Sequence, residues 1–492
     1  MKVCLVAEGC YPYVVGGVSS WVHSLIQQFP NIEFTLAAIV SDRSISGKFA
    51  YTLPDNLTEV REIYLNDSQW LQGGKKNRKS KVTLSPEEYE ALRALVLGEK
   101  VDWNIVFHMF QDKDISVDQL LMGKDFLHIA EEVYKLRYTN IVFSDFLWTL
   151  RSIYLPLGFT LQFRPAEADL YHCVATGYSG IIGSMAKVLY GSRLVISEHG
   201  IYTREREEEI IKARWVQGVY KDFWIEQFRK LSLCAYSHAD MVTSLFDDAR
   251  SLQIELGCPK EKTKVTPNGI VVENYEDIPL KDPKDPMINV GAVLRVAPIK
   301  DVKTMISAFY YAKKRDPRLK LWIMGPWEED EEYAQECFDL VENLQVQDVV
   351  FTGRINTKDY IGKMDMLILT SISEGQPLTI LEGFAAKKPM IATNVGNCAG
   401  LIYGEADDLR AAGIVLPVMN IGKISDAIVE LAGDEEKRRR MGEIGYQRVC
   451  SKYRIEYMRQ TYEEIYRKMA ADRGVPWPEK VFSVEEDLEG GM

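Results

Sequence analysis

Short apolar runs alternate along this chain with stretches whose apolar residues recur at a helical period. Apolar runs bounded by turn residues and separated by helix-length segments are the pattern of a parallel sheet covered by helices. In the first half the runs are KVCLVAE, EFTLAAIV, DLYHCV, RLVISEHG and MVTSL, with VSSWVHSLIQQF and SGIIGSMAKVLYG among the helical stretches between them. A second series follows: MINVGAVLR, KLWIMGP, VVFTGRI, MDMLILTS, PMIATN and GIVLP. The pattern predicts an α/β protein of two Rossmann-like domains facing each other across a cleft.

The punctuation between the runs sets the domain plan. EDIPLKDPKDP, residues 276–286, is too rich in proline and acid for a sheet interior and reads as a linker. The first domain is then 1–275 and the second 287–452. Residues 66–165 form an insertion in the first, opening with a polar stretch over 66–81 (QGGKKNRKSK) that reads as a mobile surface loop and helical from about 85. A C-terminal helix over 453–471 is expected to pack back on the first domain, followed by an acidic tail over 472–492.

A net charge of −12 argues against nucleic-acid binding, because no strongly basic face survives that balance. The cysteines are scattered without a CxxC pair, as expected for reduced thiols in a cytosol-like compartment. MKVCLVAEG is too short in its apolar part for a signal peptide and reads as a first strand, and no apolar run reaches the length of a membrane span. A cytoplasmic protein is expected, one that can sit at the membrane through protein partners.

Ligands of open α/β sheets bind beyond the carboxyl ends of the strands, so chemistry is sought there. Glu374 follows the run DMLILTS, with Gly375 and Pro377 turning the chain into a helix that carries Glu382. An ionised carboxylate accepts from two adjacent hydroxyls, which suits a polyhydroxylated ligand, although a helix-start acid and a solvated helical acid describe the pair equally well. Arg295 and Lys300 follow MINVGAVL, and two cations beside a helix N-terminus make a pyrophosphate site without a metal. Gly16 and Gly17 lie between the first strand and its helix, where backbone N–H groups can approach a phosphate. His199 ends RLVISEHG, and Tyr202, Arg204 and Arg206 follow it as possible contacts at the cleft mouth. TPNGI, residues 266–270, reads as a turn with Asn268 and Gly269 in the left-handed region. No zinc pattern, Walker lysine loop or GxSxG elbow is present.

Taken in order, the Gly-Gly loop, His-Gly, NGI, the Arg and Lys five apart and the E-x(7)-E pair resemble the retaining glycosyltransferases of family four, with the GT-B fold. EGCYPYVVGGVSSWVHSLI, VATGYSGIIGSMAK and SEHGIYTRERE further resemble the members that act in Pel exopolysaccharide synthesis. The resemblance implies a UDP-sugar co-substrate, no metal or other cofactor, and a polysaccharide or oligosaccharide acceptor, with an inner-membrane synthase complex as partner. It assigns Arg295 and Lys300 to the donor diphosphate, Glu382 to the ribose, and Glu374 and His199 to the donor sugar. Gly16, Gly17, Asn268, Gly375, Leu378 and Thr379 would complete donor binding, with Tyr178, Tyr202, Arg204 and Arg206 left for the acceptor. Two positions depart from the family: Leu294, where glycine is common, and Ala399 with Gly400, where an acid is common. The rival expectations are a nucleotide-sugar epimerase on the same fold and a catalytically silent sensing subunit of a synthase complex.

Overall fold

The computed structural model describes residues 1–66, 82–113, 115–405 and 407–479. Most of the expected surface loop over 66–81, and the expected tail beyond 479, lie outside the described residues. The chain divides into two compact units, Met1–Val265 with the chain from Glu463 onward, and Thr266–Tyr462.

The first unit holds seven parallel strands: β1 (Lys2–Glu8), β2 (Glu33–Val40), β3 (Leu57–Tyr64), β4 (Leu170–Cys173), β5 (Arg193–Glu198), β6 (Met241–Ser244) and β7 (Thr263–Val265). Their order is β3-β2-β1-β4-β5-β6-β7. The five runs read as strands are all present. The pattern missed β3, whose Thr58, Glu59, Arg61 and Glu62 interrupt any apolar run because the strand lies at the sheet edge. It also missed the three-residue β7. Between β3 and β4 the described residues form five helices, Pro86–Leu97, Trp103–Asp112, Val117–Leu121, Lys124–Arg137 and Phe143–Gln162. Their inner faces, with Phe107, Phe126, Ile129 and Phe146, share one apolar core with the sheet. Ser85 and Glu88 close a reciprocal capping box on the first of these helices.

The second unit holds β8 (Ile288–Val293), β9 (Leu319–Met324), β10 (Val349–Gly353), β11 (Met366–Leu369), β12 (Met390–Thr393) and β13 (Gly413–Leu416), in the order β10-β9-β8-β11-β12-β13. Both sheets reverse direction of growth at their first strand, so each has a switch point: β1 beside β4, and β8 beside β11. Loops leaving such neighbouring strands diverge to opposite faces and leave a crevice for a ligand.

Two segments differ from expectation. The division falls between Val265 and Thr266, and residues 276–286 lie inside the second unit, where Lys281 pairs with Asp365 at 2.7 Å. Asn268 and Gly269 do not adopt the left-handed backbone. Gly269 is required for closeness instead, since a Cβ there would meet the Arg454 carbonyl oxygen at 2.6 Å. The last helix, Ile455–Arg473, crosses the division, and its Tyr466 hydroxyl lies 2.6 Å from His172 Nδ1 in the first unit. No helix of the described residues is long and apolar enough to cross a membrane.

Arg448, in the helix Glu435–Lys452, is fully buried. Its guanidinium pairs with Asp407 at 2.9 Å and donates to the carbonyls of Leu401, Ile402 and Arg410, which pins the turn that leads into β13. Removing one partner of such a buried network strands the rest. Arg448→Ala is expected to cost about 3–5 kcal/mol, read as a lowered urea midpoint, and Arg448→Lys is expected to recover little of it because an ammonium cannot span the same carbonyls.

Candidate functional site

At the second switch point the two loops are tied to each other. The Thr370 hydroxyl, just past β11, donates to the carbonyls of Lys300 at 2.9 Å and Asp301 at 3.1 Å, and Ile372 N–H donates to Ile299 at 2.9 Å. Asp301, with φ of 46°, turns the chain into the helix Val302–Arg315 and caps it through Thr304. This stitching brings Lys300 Nζ to 2.5 Å from Glu374 Oε1, both largely buried. Two of the residues singled out in the sequence, 74 positions apart, are therefore one ion pair.

Arg295 leaves the end of β8 and pairs with Glu329, an acid not singled out from the sequence. Its neighbour Leu294 points into the core of the second unit, so the departure from glycine there adds packing rather than a ligand contact. The helix Leu378–Ala385 begins at Pro377, and the Thr379 hydroxyl is spent on the Val293 carbonyl at 3.2 Å. What Leu378 and Thr379 present toward the switch point is backbone N–H at a helix start. Gly375 accepts from Asn397 N–H at 2.8 Å, and Gly396 packs so tightly on this turn that a Cβ would meet the Gly375 carbonyl at 2.4 Å. Ala399 and Gly400 lie in the short helix Cys398–Tyr403 that follows.

Glu382 sits on the same helix and is hydrogen-bonded by the hydroxyl of Tyr275. Burial pushes its carboxyl up, opposed by that hydrogen bond and by the charge of Lys358. Tyr275 and Gln376 are functional candidates that the sequence reading missed. Gln376 Oε1 accepts from the Asn268 backbone N–H at 2.6 Å, while Asn268 Oδ1 and Gln376 Nε2 are buried and have no partner among the described residues. Nothing in their spacing, 108 residues apart, signals the contact.

At the first switch point, Gly16 caps and Gly17 opens the helix Gly17–Gln28. A Cβ at either glycine would meet nothing within 4 Å. Their lack of side chains therefore relieves no crowding inside the protein, and it leaves the helix N-terminus open to a ligand. Trp21 on this helix meets the His199 ring edge-on, with centroids 4.3 Å apart. His199 Nε2 is buried and has no hydrogen-bond partner among the described residues. Burial lowers its pKa to about 4, so the ring is neutral at neutral pH.

Tyr178 and Tyr202, expected as acceptor or cleft contacts, are buried. The Tyr202 hydroxyl donates to Glu8 Oε1 at 3.0 Å, and the Ser179 N–H to Glu8 Oε2 at 3.3 Å. Burial raises the Glu8 carboxyl, against the nearby charge of Arg206. Arg206 lies over the Tyr202 ring and pairs with Glu209 at 2.7 Å, and Arg204 is exposed. Glu198, next to His199, is fully engaged: it accepts from Tyr236 at 2.7 Å and Gln253 at 2.9 Å. Among the described residues no group of three or more His, Cys, Asp or Glu side chains is placed to hold a metal ion.

The family model described as Domain of unknown function (DUF3492) matches residues 1–261, and that described as Glycosyl transferases group 1 matches residues 273–448. N-acetyl-alpha-D-glucosaminyl L-malate synthase of Bacillus anthracis is 32% identical over 178 residues, covering 35% of this chain and 44% of that protein. Alpha-monoglucosyldiacylglycerol synthase of Streptococcus pneumoniae is 28% identical over 207 residues, covering 37% and 46%. The chain thus spans less than half the length of these relatives. Anabaena Alr3699/HepE, solved in complex with UDP and glucose, superposes with a TM-score of 0.61 at 14% identity, over 95% of this chain and 100% of that one. Sucrose-phosphate synthase from Thermosynechococcus elongatus does so with a TM-score of 0.61 at 15% identity, over 96% and 100%. These structural likenesses are of fold, two Rossmann-like parallel-sheet domains.

The neutral state of His199 has a measurable consequence. An unfolded chain takes up a proton at this ring near pH 6.5, and the folded one only near pH 4. Between those values the unfolded state binds more protons, so this group's contribution falls as pH falls and is complete above about pH 6.5. The denaturation midpoint of His199→Gln is expected to drop less than that of the wild type between pH 7 and pH 5. Parallel drops would refute the assignment.

Proposed function

This chain belongs to the family described as Domain of unknown function (DUF3492), with a second half in the glycosyl transferases group 1 family, and on that premise we propose that it is a retaining glycosyltransferase. It takes a sugar, glucose or an N-acetylhexosamine, from a UDP-sugar and passes it to a growing exopolysaccharide, without a metal. The observation that carries this reading is the Lys300–Glu374 pair, where the loops of β8 and β11 meet, with Arg295 on the same β8 loop.

Glycosyl transfer builds negative charge on the departing phosphate and positive charge on the anomeric carbon. Arg295 and Lys300 are fixed cations for the first, held before the substrate arrives, which is the arrangement that stabilises a leaving group most cheaply. The helix start at Leu378 and Thr379 adds backbone N–H donors of the same sign. Glu382, held by Tyr275, takes the ribose hydroxyls, and Glu374 faces the sugar. Gly17 offers its N–H to the phosphate, and neutral His199, with an unpartnered Nε2, hydrogen-bonds a sugar hydroxyl. The bond from the anomeric carbon to the phosphate oxygen breaks while the acceptor oxygen bonds on the same face. The acceptor's proton leaves on the phosphate. UDP is favoured over other nucleotides by the UDP-bound state of Alr3699/HepE. The Pel role rests on the resemblance to the glycosyltransferases of Pel exopolysaccharide synthesis and carries with it a cytoplasmic location and an inner-membrane synthase partner.

The test is nucleotide release from a panel of UDP-, GDP- and ADP-sugars, with and without EDTA. Release confined to UDP-sugars and indifferent to EDTA is expected. Arg295→Ala and Lys300→Ala should each lower it by about 10²–10³-fold with an unchanged circular dichroism spectrum. Lys300→Ala with Glu374→Gln should regain stability without regaining turnover, because it removes the stranded carboxylate charge. Wild-type turnover in either single variant would rule out the phosphate assignment. No release from any donor would favour a silent sensing subunit, and interconversion of two UDP-sugars without acceptor an epimerase.

A further inference from the structure

Glu62, in the edge strand β3, is the meeting point of three stretches of chain. Its Oε1 accepts from the Tyr13 hydroxyl and from the Gly47 N–H at 2.9 Å, and its Oε2 from the Ser46 hydroxyl at 2.5 Å and from the Tyr64 hydroxyl. A carboxylate offers about four acceptor positions, and all four are taken. Desolvation pushes this carboxyl up, but the hydrogen bonds together outweigh it and hold the pKa to about 2. The group is therefore a permanent anion serving as an anchor.

What it anchors is the loop that ends in Gly16 and Gly17. Glycines do not fix their own backbone, so the place of their N–H groups is set by what holds the chain on either side. Downstream the helix Gly17–Gln28 does so. Upstream, Val14 and Val15 are exposed and bury little that could hold the loop down. The backbone on that side is held by the Val14 N–H on the Cys10 carbonyl at 3.0 Å, by buried Tyr11 and by the Ala50 N–H on the Pro12 carbonyl at 2.8 Å. The side chain nearest the glycines that ties the loop to the sheet edge is Tyr13, through its hydroxyl on Glu62 and its ring against Phe49, with centroids 5.5 Å apart.

We propose that Glu62 is a positioning residue, which through Tyr13 sets the Gly16–Gly17 backbone where a donor phosphate meets it. The inference rests on the nucleotide-sugar reading above and assigns Glu62 no contact with substrate. Its signature is an asymmetry between two phenols that share one carboxylate. Tyr13 links Glu62 to the glycine loop, whereas Tyr64, on the same strand as Glu62, carries Arg43 over its ring at 4.5 Å and reaches the 43–47 turn instead.

The test compares Tyr13→Phe, Tyr64→Phe, Glu62→Gln and the double variant Tyr13→Phe/Glu62→Gln, using the UDP-sugar that the donor panel selects. Tyr13→Phe is expected to raise the donor KM about tenfold, the worth of one hydrogen bond to a charged group, with kcat within about twofold. Tyr64→Phe should leave both constants at wild type, and the double variant should be no worse than the more severe single one. Equal effects of the two phenol deletions, or lowered melting temperatures without a change in KM, would overturn the proposal. Should Glu62→Gln not fold, the two tyrosine variants decide alone. Should no donor turn over, the nucleotide-sugar reading fails separately, and amide exchange of residues 14–18 decides the positioning role. Faster exchange in Tyr13→Phe than in Tyr64→Phe supports it, and equal exchange refutes it.

Discussion

The candidate donor site depends on the hydrogen bonds that stitch the loop after β8 to the loop after β11. At this switch point the neighbouring strands send their loops to opposite faces of the sheet, so nothing in the sheet itself keeps the two loops together. Thr370 supplies the tie by donating its hydroxyl to the carbonyls of Lys300 and Asp301, and Ile372 adds a backbone bond to Ile299. With that tie in place, Lys300 is delivered to Glu374 by main-chain geometry, without needing a long side chain to search for its partner. A cation held in this way loses little freedom when a ligand arrives, which is the physical content of preorganisation.

The first unit solves a different problem, that of keeping polar side chains dry and still useful. His172 lies 2.7 Å from the Ser197 hydroxyl and 2.6 Å from that of Tyr466, and Thr243 completes the chain on Ser197. Glu198 is enclosed by Tyr236, Gln253 and Thr176. These groups are satisfied internally and belong to the scaffold. His199, the first residue after β5, differs from them in its hydrogen bonding. It meets Trp21, as His172 does, and its Nε2 has no hydrogen-bond partner among the described residues.

Much of the architecture was legible because apolar runs buried on both faces leave a strong mark. Every run read as a strand is one, and the described part of the insertion after β3 is mainly helical from Pro86 on, as expected. β3 escaped because an edge strand carries charge by necessity, and Glu59, Arg61 and Glu62 hide its period. The same strand contributes the anchor of the glycine loop, so the least strand-like segment of the sheet holds one of its more consequential side chains. NGI was legible as a special backbone, but for another reason than the turn it suggested. Gly269 is small because the chain at Arg454 passes against it. Glu374 and Lys300 could be singled out by residue type and position, yet their pairing could not, and Tyr275 and Gln376 could not be found at all. Contacts made across a hundred residues leave no local pattern in a single sequence.

The ion pair between Lys300 and Glu374 also makes the site its own counter-ion. An anion that would occupy Lys300 must compete with a carboxylate already seated there at 2.5 Å, and must bring enough negative charge and enough further contacts to displace it. Stray inorganic anions, abundant in any cell, offer the charge without the contacts. The pairing therefore sets a threshold that an anion competing for Lys300 has to exceed.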